Sequence, residues 1–235
     1  MMENIHSETY SLMLDNIVKD PIRKDYLFNA IKNVDSIKLM SDWALKWIDS
    51  PLSFAHRIVA FAIVEGVFFS GAFASIFWIK KYKSNDQISK SKPFMDGLTK
   101  SNKFIARDEG LHCTFACEIY KLLENKLTTQ EINNIMEEGV TIAKTFVTDA
   151  LPVRLIGMNS TQMSQYIEYV ADRLLVMLGY SKLYNKTNPF KFMEDIGLDD
   201  KTNFFETRAH EYQDAMILNK SLKGSNSQIV VKDDF

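Results

Sequence analysis

The chain has 235 residues and a formal charge of −2, from 28 Lys and Arg against 30 Asp and Glu. That length supports one large domain with a real core, and the balanced charge excludes a global basic field that would gather nucleic acid or an anionic membrane. Only 9 Gly and 5 Pro, beside 46% hydrophobic residues, exclude a disordered or turn-dense all-β chain and favour helices.

In chain order, Ile5, Leu12, Met13 and Ile17 recur near a 3.6 period, which predicts a helix over 1–18 ended by Lys19-Asp20-Pro21. Helical patterns follow over 22–37 and 39–48, with Asp49-Ser50-Pro51 as the stop. A long apolar helix is expected over 53–80. Its stretch 59–79 resembles a membrane span, but Glu65 sits inside it, and a mid-span carboxylate costs about 2.5–3.5 kcal/mol in lipid, so it reads as a buried core helix. Residues 83–93 are polar and turn-rich and are expected to form a mobile loop. An amphipathic helix is expected over 99–125. Thr128 followed by Glu131 has capping-box form and opens a helix to about 150. One more helix is expected over 162–180, and 221–235 reads as a flexible tail. No repeat or internal boundary stands out, so one all-α domain over 1–220 is expected.

Cys113 and Cys117 are four residues apart and cannot build a disulfide framework, which points to a reducing compartment, the cytoplasm. The first residues lack the basic and apolar regions of a signal peptide, so no export is expected.

Two of the four histidines have a Glu three residues before them: Glu3 with His6, and Glu109 with His112. Positions i and i+3 share a helix face, so carboxylate and imidazole can grip one side of a metal pair. Ferritin-like dinuclear bundles use two such helices plus a lone carboxylate from each of two others. Glu65 supplies a third carboxylate, since an unpaired anion in an apolar helix needs a cation or a shifted pKa. The bland alternative for Glu65 is a pair with Arg57 or another Arg. Phe69, Phe73 and Ile105 fall one or two turns from these ligands, as core, pocket wall or both. Tyr10 lies four residues after His6, which stacks its phenol beside the proposed metals. Asp108 is either a hydrogen-bond partner for an imidazole or plain helix surface.

The segments ENIHSETYSLML, VAFAIVEGVFFSGAFASIFW, ISKSKPFMDGLTKSNKFIARDEGLHCTFA and LPVRLIGMNSTQMSQYIEYVADRLL resemble the radical-bearing small subunit of class I ribonucleotide reductase, eukaryotic and viral type, over essentially the whole chain. The resemblance implies an all-α ferritin-like bundle and a homodimer with two iron ions in a diiron-oxo centre, manganese being the alternative. It implies a tyrosyl radical used by a separate large subunit to reduce ribonucleotides. Glu3, His6, Glu65, Glu109 and His112 match the metal ligands, Tyr10 the radical tyrosine, and Phe69, Phe73 and Ile105 its apolar pocket. Asp108 and its neighbour Arg107 match the radical-transfer motif, and Tyr212 the relay tyrosine near the tail. Asp233, Asp234 and Phe235 resemble the peptide that docks into the large subunit, where a terminal aromatic after acids suits an apolar anchor.

In that family a ligand aspartate and, further upstream, a relay tryptophan precede the first Glu-x-x-His. Only Met1 and Met2 precede Glu3 here, so the chain is expected to be N-terminally truncated and to supply five of six protein ligands. Two outcomes are open: a working small subunit whose sixth ligand comes from elsewhere, or a non-catalytic paralogue or fragment that binds partner subunits. An iron-storage or oxygenase bundle shares the ligand pattern but gives no reason for Tyr10, Tyr212 and the tail together.

Overall fold

Capping chemistry sets the helix ends. The computed structural model describes residues 2–83, 95–150 and 157–196. In order come α1 (Met2–Ile17), α2 (Pro21–Phe28), α3 (Ala30–Asn33), α4 (Asp35–Ile48), α5 (Phe54–Ile63), a π-helical segment (Val64–Phe68) and α6 (Ser70–Lys83). Then follow α7 (Asp96–Leu122), α8 (Thr129–Ala150), α9 (Ser160–Leu178) and α10 (Lys191–Ile196). The Asp20 carboxylate accepts from the Arg23 amide at 2.6 Å, and Pro21 takes the first helical position of α2, where no donor is needed. The expected capping box forms. Glu131 Oε2 accepts from the Thr128 amide at 2.7 Å, and the Glu131 amide donates to Thr128 Oγ1 at 3.3 Å.

The structure revises several boundaries. The helix expected over 22–37 is broken at Asn29, whose side-chain amide donates to the Asp25 carbonyl at 3.0 Å and so competes with the helical ladder. Helix α9 begins earlier than periodicity suggests, because Asn159 Oδ1 accepts from the Gln162 amide at 3.0 Å. It ends at Gly179, whose φ of 93° is a left-handed conformation that glycine adopts without steric cost. The long apolar helix exists but changes hydrogen-bond pattern at Glu65, where five residues wind as a π-helix.

That rod, Phe54–Lys81 counted through the π segment, is long and apolar enough to cross a membrane, yet 67% of its apolar window is buried in the bundle. It packs against α7, α8 and α9 and forms the core helix. Contact with α8 is close: a Cβ on Gly139 would lie 2.6 Å from Ile63 Cγ2. Helix α1 is peripheral. Its described packing is against α2 and α7, and its buried residue is His6, while Ile5, Leu12 and Ile17 are exposed. Of the four apolar residues that mark this helix in the sequence, only Met13 is even half-buried. Tyr212, the tail residues Asp233, Asp234 and Phe235, and most of the 83–93 loop lie outside the described residues.

The chain after α9 is pinned by a buried carboxylate. Asp172 Oδ1 accepts from the amides of Leu183 and Tyr184 at 2.9 and 2.8 Å, and Oδ2 from that of Lys186 at 3.0 Å. Asp172→Ala leaves these donors without acceptors and is expected to lower unfolding free energy by about 3 kcal/mol, measured by urea denaturation.

Candidate metal centre

Three elements deliver the site. Helix α1 presents Glu3 and His6 one turn apart, α7 presents Glu109 and His112 likewise, and the π segment presents Glu65. A π turn inserts one residue into a helix and re-aims the side chains beside it, which is why such turns recur at functional sites. Each expected ligand lies within 3.6 Å of at least one other.

The donors arrange around two poles. At the first, His6 Nδ1 lies 3.3 Å from Glu3 Oε2 and 3.0 Å from Glu109 Oε1. At the second, His112 Nδ1 lies 3.6 Å from Glu3 Oε1, 2.9 Å from Glu109 Oε2 and 3.5 Å from Glu65 Oε2. Glu3 and Glu109 therefore each span both imidazoles, one oxygen to each. Ligand atoms of Glu3, Glu109 and His112 all fall within 4.8 Å of one another. The other ring nitrogen of His6 faces Asp108 Oδ2 at 3.2 Å, so the ring has its Nδ1 toward the cluster and its Nε2 held by a carboxylate. Histidines that bind metals are oriented in this way. Of the two readings of Asp108, imidazole partner and plain surface, the structure favours the first.

The electrostatics call for a cation. Burial first, then hydrogen bonding and charge from Glu109, then Glu3, push the Glu65 carboxyl up to about 9. Its Oε2 is buried without a hydrogen-bond partner. Burial lowers the pKa of His6, but the Asp108 hydrogen bond and the charges of Glu3 and Glu109 outweigh it, and the net shift is upward. Carboxylates facing one another at this spacing repel unless protons or metal ions intervene. Three carboxylates, two imidazoles and an orphaned buried oxygen fit a pair of divalent ions of the iron or manganese type, for which oxygen and imidazole donors are suited.

Tyr10 sits within the field of Glu109. Burial of its hydroxyl and that charge push its pKa up to about 12, although the residue as a whole is 38% exposed. Phe73 and Ile105 are buried as expected. Phe69 meets Phe73 in a tilted contact with centroids 6.2 Å apart but is 37% exposed, so this apolar wall is open on one side among the described residues. Sequence reasoning missed the π turn, and periodicity carries no signal for it. It also missed Asn102, whose buried amide donates to the Phe73 carbonyl at 3.3 Å and ties α7 to α6 beside the site.

Fold and site together define a ferritin-like helical bundle with a cluster of carboxylates and histidines that could hold metal. The ribonucleotide reductase small-chain family matches residues 1–189. A ribonucleoside-diphosphate reductase small chain from Spisula solidissima is 52% identical over 235 residues, all of this chain and 59% of that protein. The human ribonucleoside-diphosphate reductase subunit M2 is 51% identical over 95% of this chain and 55% of its own length. Among solved structures, the ribonucleotide reductase Rnr4 homodimer of Saccharomyces cerevisiae aligns with a TM-score of 0.69 and 38% identity, over 85% of this chain and 61% of that one. The R2 subunit from Clostridium botulinum, 23% identical with a TM-score of 0.67, shares the fold. The chain belongs to the ribonucleotide reductase small-chain family, and it spans between half and two thirds of the length of these relatives.

Two outcomes test the centre. Asp108→Asn, which weakens the grip on His6 Nε2, is expected to reduce ferrous or manganous affinity about 10–100-fold in a chelator competition assay. Without metal, the raised Glu65 pKa means the folded state holds a proton that the unfolded carboxyl releases. The resulting stability is fully present below the ordinary value of 4.5 and is lost as pH rises through about 9. Glu65→Gln is expected to flatten that decline in metal-free thermal melts between these limits.

Proposed function

We propose that this chain is the metal- and radical-bearing portion of a class I ribonucleotide reductase small subunit. The carrying observation is that Glu3 and Glu109 each span His6 and His112, with the Tyr10 phenol in the charge field of Glu109. Glu3, His6, Glu65, Glu109 and His112 hold two iron ions in this reading, and manganese suits the same donors. When bound, the pair supplies the one-electron oxidation, driven by dioxygen, that turns Tyr10 into a tyrosyl radical.

The residues around it perform separable tasks. Asp108 fixes the His6 ring, so that Nδ1 keeps its lone pair for the metal side. Glu65 gives up its proton to become a ligand. The high pKa of Tyr10 keeps the phenol protonated at rest, so its oxidation releases a proton as well as an electron, and Glu109 is the carboxylate near it to accept that proton. Phe69, Phe73 and Ile105 supply the apolar wall that slows quenching of a radical. Asp108 with Arg107, and Tyr212, carry the oxidising equivalent onward, and Asp233, Asp234 and Phe235 dock into a large subunit that reduces ribonucleoside diphosphates. A homodimer is part of the reading, supported by likeness to the yeast Rnr4 homodimer, and so is a cytoplasmic location, supported by the free buried thiols of Cys113 and Cys117.

The test is electron paramagnetic resonance on the chain loaded anaerobically with ferrous iron and exposed to dioxygen. A tyrosyl signal that disappears in Tyr10→Phe is the expected result. Bound iron with no such signal would overturn the radical role and leave a binding role.

A further inference from the structure

Two indoles on α4 stand outside the ligand set but next to it. Trp43 and Trp47 are 5% and 7% exposed, with ring centroids 5.8 Å apart in edge-to-face contact. Trp43 also meets Phe68 of the π segment at 5.2 Å. Together with Glu65, both indoles line a cavity of about 520 Å³ between α4 and the core rod. An aromatic path thus joins α4 to the turn that carries a metal-centre carboxylate.

The two indoles have opposite electrostatic settings. Trp43 Nε1 donates to Glu138 Oε2 on α8 at 2.9 Å. Partial burial alone would raise the Glu138 pKa, but hydrogen bonds from Lys46 and Trp43 outweigh it, so Glu138 is ionised at neutral pH. Trp47 Nε1 is buried with no hydrogen-bond partner, and the Lys46 ammonium lies 5.1 Å from the Trp47 ring centroid. A cation at an aromatic face is attracted to the intact electron-rich ring, which makes removal of an electron harder. A carboxylate accepting the indole N–H does the reverse, because loss of an electron makes that proton strongly acidic. Trp43 is therefore the easier of the pair to oxidise.

We infer that Trp43 is a redox-active residue that donates an electron toward the metal centre across Phe68 and the shared cavity, with Glu138 as its proton acceptor. Trp43 loses one electron, which the oxidised metal centre gains. The Nε1–H bond breaks, an O–H bond forms at Glu138 Oε2, and the products are a neutral tryptophanyl radical and a carboxylic acid. One electron from a thiol reductant, with return of the proton from Glu138, restores the pair. The inference rests on the dioxygen-activating reading of the centre given above.

The full chain carrying Tyr10→Phe, in which the phenol cannot take the oxidising equivalent, is prepared with ring-deuterated tryptophan. It is loaded with ferrous iron, mixed with dioxygen and freeze-quenched for electron paramagnetic resonance. The expected radical signal is narrowed by the label, is lost when Trp43→Phe is added and persists when Trp47→Phe is added instead. The near-isosteric Glu138→Gln is expected to convert it to the signal of a protonated indole radical. A purely structural Trp43–Glu138 bond joins α4 to α8 and gives none of these changes. Bound iron without a label-sensitive signal, or a signal that survives Trp43→Phe, overturns the inference.

If iron does not bind, the reading of the centre fails, and flash oxidation of the metal-free chain by ruthenium(III) tris-bipyridine decides the role of Trp43 separately. Transient absorption is then expected to show a tryptophan radical that deprotonates more slowly in Glu138→Gln. Equal rates in the two proteins overturn the inference.

Discussion

Carboxylates that face one another inside an apolar bundle are the constraint from which the rest of the architecture follows. Glu3, Glu65 and Glu109 converge within a few ångströms of two imidazoles, and Asp108 stands behind one of them. In a medium of low effective dielectric this is costly without protons or cations. The structure contains the cost by shape. Glu65 and Glu109 are held by helices committed to packing and cannot swing apart to relieve repulsion, whereas Glu3 reaches them from the exposed side of peripheral α1. Helix α7 is the clearest case: Cys113, Ala116, Cys117 and Tyr120 bury one side of it completely, and this locks the rotation that aims Glu109 and His112 at α1.

Much of this arrangement is legible in the sequence because its parts are local. The i, i+3 spacing of Glu3 with His6 and of Glu109 with His112 survives folding unchanged, since a helix converts spacing directly into geometry. Glu65 is legible for another reason: a charge in an apolar run must be compensated whatever its partner. Asp108 could be read two ways, and the choice depends on His6, 102 positions away, being held at 3.2 Å.

What the sequence does not disclose is non-local or carried by the backbone. The π turn leaves no trace in apolar periodicity because residues 58–68 are apolar at nearly every position and so offer no stripe to shift. The Trp43–Glu138 bond joins positions 95 apart, and the indole pattern of α4 reads simply as core. Exposure of Tyr10 and Phe69 depends on what covers a face, which spacing within one helix cannot report. The start of α9 is set by a smaller effect: an asparagine cap outranks the hydrophobic period at its first turn.

The π segment also restricts how this chain can vary in length. A residue lost anywhere in 64–68 would let the rod relax to ordinary α-helix with no break in backbone hydrogen bonding. Because the wider π winding absorbs the extra residue, the two halves of the rod would keep nearly their present register. The loss would be felt at the turn itself, where Glu65 would no longer be aimed at His112, which it now faces at 3.5 Å. Five residues that look interchangeable with any apolar helix thus act as a spacer of fixed count, one in which substitutions are easier to accommodate than deletions.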